Sequence, residues 1–151
     1  MLPAQAETIL VRRRVLLLAG AALTSFVASS GAPAFADDPP AYDVEVGDVT
    51  AKVGEHAVML ATLKVRDGYR ILQHYNNRVI KLSSFDDGVA FERDPVPAEL
   101  QEGALVFNVG LRPTKPGKHP INGLFRVGYI HGTDEMAMVS MRLIANVTGT
   151  E

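Results

Sequence analysis

Apolar and polar positions form their clearest pattern between Ile121 and Thr148. The runs INGLFRVGYI and MAMVSMRLIANVT are rich in strand formers, and the polar HGTDE between them reads as the turn of a β-hairpin. His131, Asp134 and Glu135 fall at or beside its tip. Two other stretches alternate with a period of two. In 56–65, Ala57, Met59, Ala61, Leu63 and Val65 make one apolar face and the other face is mixed. In 104–112, Leu105, Phe107, Val109 and Leu111 face one way and Val106, Asn108 and Gly110 the other.

Weaker segments fill the rest. Residues 42–53 predict a strand region broken near Gly47-Asp48, and 69–78 a short strand followed by a loop. Val79 to Phe85 and Val89 to Glu92 predict two strands joined by Asp86-Asp87-Gly88, a hairpin signal. Pro95 to Gly103 and Pro113 to Pro120 read as connections. Strands of this length, with turn signals about every ten residues and no amphipathic helix after residue 36, predict an all-β chain. The expected architecture is an immunoglobulin-like β-sandwich of about seven strands, with a small barrel as the alternative.

The first 36 residues follow a different pattern. Arg12 to Arg14 precede the apolar run Val15 to Val27, and Ala34-Phe35-Ala36 is a small-x-small cleavage site. That order is a signal peptide. Thr24 and Ser25 interrupt the apolar run, which falls short of the roughly 20 residues of a comfortable membrane span. The Arg run before Val-Leu-Leu leaves both Sec and twin-arginine export open. The domain plan is therefore a signal peptide over 1–36, a mobile leader over 37–41 and the β-sandwich over 42–151. The expected location is the periplasm or the secreted fraction, with no stable membrane insertion after cleavage.

Charge and composition narrow the chemistry. Formal charge is −2. Cleavage after Ala36 removes three positive charges and one negative, which takes −2 to −4. Such a chain carries no net basic signature for nucleic acid or for an anionic membrane. Cysteine is absent, which excludes disulfides, zinc–thiolate sites and thiol catalysis.

Few residues remain as candidates. If Gly132 to Glu135 is a four-residue loop, His131 opposes Met136 and Tyr129 opposes Met138, and opposed side chains share a face. Imidazole with thioether is a soft donor set suited to copper(I), so His131, Met136 and Met138 form a candidate metal site. That register turns Phe125 and Val127 away from Val139, Met141 and Leu143. A bulge, or a loop of three or five residues, unites the two apolar sets instead, and the Met residues become packing or edge positions. Asp86-Asp87 is a carboxylate pair, but the following Gly88 reads it as a turn. His56, His74 and His119 are scattered and read as surface or boundary residues. No HxH, HExxH or nucleophile-elbow pattern occurs, so the expectation is a chain that is not an enzyme and needs no cofactor. Tyr69 to Tyr75 mixes aromatic, charged and polar side chains in a loop, a composition that suits a partner-binding surface and equally suits a cap on the core.

The order of these features has a counterpart. Val53-Gly54-Glu55 precedes a strand, Asp67-Gly68-Tyr69-Arg70-Ile71 follows it, and Tyr75 and Val79 come soon after. A Pro-Gly turn then leads to Gly123-Leu124-Phe125-Arg126-Val127 and the final hairpin. The chain resembles the immunoglobulin-like periplasmic domain at the amino terminus of DsbD-type thiol:disulfide interchange proteins. The resemblance implies an exported immunoglobulin-like fold. In that family the final hairpin carries two redox cysteines. The matching region here, about Ile130 to Met136, has none, so thiol exchange does not carry over.

Together these readings predict an envelope binding or accessory module. Its expected protein-contact residues are Tyr69, Tyr75, His131, Asp134 and Glu135, with copper binding at the tip as the alternative.

Overall fold

The computed structural model describes residues 40–151. The signal peptide and most of the leader, as read from the sequence, lie outside them. The leader's last residue is not loose: Ala41 is buried, and its carbonyl accepts a hydrogen bond from the Arg66 amide at 2.9 Å.

The described residues form eleven strands in two sheets, an immunoglobulin-like sandwich. The first sheet holds β1 (Tyr42–Val46), β3 (Ala57–Val65), β9 (Ala104–Pro113) and β6 (Val89–Phe91) in that order, with β8 (Glu99–Gln101) also on β9. The second holds β2 (Val49–Lys52), β11 (Glu135–Thr150), β10 (Gly117–His131), β5 (Arg78–Ser84) and β7 (Val96–Pro97), with β4 (Tyr69–Ile71) also on β10. The break at Gly47-Asp48 lets the first strand region change sheets, so β1 pairs with β3 while β2 lies parallel to β11. The excess over seven strands comes from short pieces. The connection 95–103 contains β7 and β8, and β8 turns into β9 through Glu102 and Gly103, both at positive φ (49° and 79°). That is the backbone of a two-residue primed hairpin turn.

Burial follows the alternation. Met59, Ala61 and Leu63 of β3 and Leu105, Phe107, Val109 and Leu111 of β9 turn inward. They meet Ile121, Phe125, Val127, Leu143, Ala145 and Val147 of the long hairpin. Phe107 and Phe125 touch edge to face across the sheets, with ring centroids 5.1 Å apart. The described residues 40–151 thus carry one core and form a compact unit by themselves.

The expected hairpin between β5 and β6 is not formed. β5 lies on β10, whereas β6 pairs with β9, so Asp86-Asp87-Gly88 carries the chain from one sheet to the other. The connection before β10 satisfies its polar groups. Thr114 N donates to the Gly88 carbonyl, Thr114 Oγ1 to the Asp87 carbonyl and Lys115 Nζ to the Asp86 carbonyl. At the centre is His119, read from the sequence as a boundary residue but only 4% exposed. Its Nδ1 lies 2.6 Å from Asp86 Oδ2 and its Nε2 lies 2.8 Å from the Lys115 carbonyl. Both partners are acceptors, so both ring nitrogens donate and the ring is held as the imidazolium. Asp86 also accepts from Ser84 Oγ and from Gly88 N. The imidazole packs against Gly88, where an added Cβ would clash with its Nδ1, Cε1 and Cγ atoms.

This clamp makes stability depend on pH. The Asp86 carboxylate, with the Lys115 carbonyl behind it, raises His119 above its ordinary 6.5. The His119 hydrogen bond first, and those from Ser84 and Gly88 after it, lower Asp86 from 3.8 to about 2. The His119 contribution is complete below pH 6.5 and is lost as pH rises through its folded value. The Asp86 contribution is complete above 3.8 and is lost as pH falls through about 2. Thermal melts of the wild type and His119→Gln should differ most between those limits, and the gap should narrow above neutrality. A gap that stays constant from pH 5 to pH 10 would show that the ring is not held as a cation.

Candidate interaction surface at the hairpin tip

The tip is a three-residue loop, Gly132 to Asp134, closed by His131 opposite Glu135. The register therefore differs by one residue from the one that aligned His131 with Met136. Phe125 pairs with Met141 and Val127 with Val139, which unites the two apolar sets on the inner face. Met136 now opposes Ile130, and Met138 opposes Gly128. Both Met side chains stand on the outward face, 66% and 69% exposed, while His131 belongs to the inward-facing row. The candidate copper ligands His131, Met136 and Met138 are thus divided between two faces of the sheet. Burial of Phe125 and Val127 outweighs any local preference at the loop. Among the described residues, no group of three or more His, Asp or Glu is arranged to hold a metal ion.

The inward row does assemble something. β4 pairs with the end of β10, placing Tyr69 beside His131 and Ile71 beside Tyr129. The Tyr69 ring stacks on the His131 imidazole, with centroids 4.4 Å apart and planes 20° from parallel. Tyr129 meets Tyr69 edge-on at 5.6 Å and reaches Tyr42 of the opposite sheet at 6.2 Å. His131 Nδ1 lies 3.3 Å from Glu135 Oε2, and Arg70 Nη2 reaches the Gly132 carbonyl at 3.5 Å. Burial, helped by the Tyr42, Tyr69 and Glu135 side chains, raises the Tyr129 phenol above 10.0, so it remains neutral. The result is an aromatic ladder that closes this end of the core and leaves His131, Asp134 and Glu135 exposed above it.

Tyr75 is elsewhere. It lies on the outward face against Gly128, where an added Cβ would come within 2.9 Å of its ring. Asn77 fixes the loop that carries it. The buried amide donates from Nδ2 to the Leu72 carbonyl at 3.1 Å and accepts at Oδ1 from Gly128 N at 2.9 Å. So Tyr69, His131 and Glu135 share one surface, Asp134 sits on the loop above them, and Tyr75 is on the other side of the sheet.

Between the Tyr69–Asn77 segment and β8 the sandwich is open. A groove of about 450 Å³ runs along Val65, Ile71, Leu72, His74 and Leu100. A second of about 240 Å³ adjoins it at Ile71, Gln73 and Leu100 and ends at Tyr75 and Asn76. Leu100, 45% exposed, stands between them. Sequence reasoning missed Leu100, because the connection 95–103 did not read as a strand. It also missed Tyr129, although Tyr129 and His131 are two residues apart and so share a face. The four His residues have separate settings: His56 against Glu92 at 3.2 Å, His74 at the groove, His119 in the clamp and His131 at the tip.

A scan against protein-family models gives no match, and a search of curated proteins gives none. Among solved structures the chain is similar to murine CRIg, at 10% identity and a TM-score of 0.38, over 73% of this chain and 98% of that one.

Replacing Asn77 with Ala should cost about 1–3 kcal/mol, the usual cost of leaving buried backbone partners unsatisfied. It should also free the Tyr75 ring, read as faster amide exchange over 72–77 and a shift of the Tyr75 resonances. Unchanged stability and spectra would mean that Asn77 does not hold the loop.

Proposed function

We propose that this chain is a non-catalytic binding module of the cell envelope whose recognition surface is the tip end of the sandwich. The observation that supports it is the pair of adjoining grooves, the larger mainly apolar and the smaller mainly polar, held open by Leu100 and the Asn77-pinned loop. A concave apolar groove along Val65, Ile71, Leu72 and Leu100, adjoined by a polar one at Gln73, Asn76 and Asn77, suits an apolar side chain flanked by backbone. A partner polypeptide offers that combination. The exposed tip residues His131, Asp134 and Glu135 supply polar contacts at the rim. Asp86 and His119 satisfy each other at the far end of β10 and line neither groove. Envelope location rests on the export segment and on the resemblance to DsbD-type amino-terminal domains.

The test places a photoreactive residue at Gln73 in the groove and, separately, at Arg112 on the far side of the sandwich. Crosslinking in cells should capture one protein from position 73 only. Leu100→Asp should weaken binding of that purified protein at least tenfold with little change in melting temperature. Equal capture from both positions, or binding indifferent to Leu100→Asp, would reject the surface.

A further inference from the structure

Net charge hides how charge is distributed over the two sheets. On the outward face of the second sheet, β10 presents Lys118 and Arg126, and β5 presents Arg78 beside Arg126. Arg142 of β11, Lys52 of β2 and Arg70 of β4 point the same way by register. Lys81 joins them through a bulge. β5 carries one residue more than β10 between Asn122 and Leu124, Lys81 takes a positive φ of 55°, and its side chain lines the same surface groove as Arg142. No Asp or Glu occupies an outward strand position of this sheet. The carboxylates that come near are tied to backbone. Asp94 accepts from Lys81 N and Leu82 N, and Asp48 accepts from Asn146 N at the edge. Among the described residues none of these cations is in an ion pair. The first sheet mixes the two signs: Asp43, Glu45, Glu92 and Glu99 face outward with Lys64 and Arg112, Arg66 pairs with Asp43, and Arg93 lies beside Glu92 and Glu99.

The cationic face is also the more apolar. Phe85, Met136, Met138 and Ile144 are each more than 60% exposed on or beside it, and Leu124 lies in the groove between Lys81 and Arg142. From Lys118 to Ile130 the face runs about 40 Å, at roughly 3.3 Å per residue.

We propose that this face docks the protein, as a peripheral contact without insertion of strands, on an anionic lipid bilayer. Apolar side chains set among Lys and Arg on an exposed face are the chemistry of interfacial membrane binding. The arrangement fits an acidic protein less well. Protein interfaces deplete charge at their centre and keep it at the rim, whereas Arg126 and Arg142 stand mid-face here and Met136 and Phe85 lie toward opposite ends. The unpaired cations of the second sheet, set against the mixed charge of the first, also favour approach of this face to a negative surface. The inference does not rest on the tip grooves, the larger of which shares Arg70 and Ile130 with this face.

Residues 40–151 serve for the test, since they form a unit of their own and exclude the apolar segment 15–27. Cosedimentation with phosphatidylcholine vesicles containing about a third phosphatidylglycerol should exceed that with phosphatidylcholine alone at least tenfold, and should fall with added salt. Arg126→Glu with Arg142→Glu should weaken binding by about thirtyfold or more, at roughly a factor of five per charge lost. Lys64→Glu with Arg112→Glu, on the other sheet, should leave it within twofold. The chain has no cysteine, so Met138→Cys accepts a single environment-sensitive dye, and its emission should shift to the blue on the anionic vesicles. Binding indifferent to lipid charge, or to the Arg126/Arg142 reversal, overturns the proposal. So does tighter binding to polyglutamate than to the vesicles, which would assign the face to an acidic polypeptide.

Discussion

Phe125 against Met141 and Val127 against Val139 set the alignment of the long hairpin, and almost every other side-chain position follows from it. A slip of one residue in β11 would exchange its two faces. Val139, Leu143 and Val147 would leave the core, and Met138, Arg142 and Ile144 would be driven toward Phe107. Burying an unpaired guanidinium alone costs several kcal/mol. The pairing continues without a break from Gly117–Gly149 to His131–Glu135, so the register chosen by the core is imposed at the tip. The loop is short because the core requires it.

The same alignment sorts charge. With odd-numbered positions of β10 and β11 inward, every Lys and Arg on those strands falls outward, as do the exposed Met and Ile side chains. It also leaves an edge. β2 covers only Val147 to Thr150 of β11, and from Glu135 to Asn146 the strand has no second neighbour among the described residues. Such an edge invites strand addition. Here Arg142 supplies a charge along it, and the Asp48 carboxylate takes the Asn146 amide where β2 begins.

Alternation made much of the fold legible in advance. The strands 57–65 and 104–113 and the two arms of the hairpin carry it openly, because each buries one face and exposes the other. What failed was local turn chemistry judged without its neighbours. Asp86-Asp87-Gly88 has the composition of a hairpin turn, yet Asp86 is bound by a histidine 33 residues away. Nothing local announces that bond, but the parity of β10 does: His119 has the phase of Ile121, Gly123 and Phe125 and had to point inward. The tip failed for the converse reason. A cluster of His and Met near a loop suggests a ligand set only if they share a face, and the buried half of the hairpin decides that. Net charge is blind in the same way, since a sum over the chain says nothing about two faces that alternate along every strand.

The two ends of the sandwich are consequently unlike. At the His119 end, an imidazolium, a carboxylate and four backbone carbonyls knit the crossover between sheets to the start of β10. Its polar groups are consumed by one another, and among the described residues no buried side-chain nitrogen or oxygen lacks a partner. At the other end, aromatic rings rather than hydrogen bonds close the core, and β4 and β8 are three residues each. Short strands hold fewer ladder bonds and leave the groove between them unfilled. A domain that bonded both ends equally would gain stability and lose the concave apolar surface, because filling the space around Leu100 with paired backbone removes the space. The fold therefore concentrates its specific polar bonding at one end of β10 and β11, which leaves a concave surface at the other.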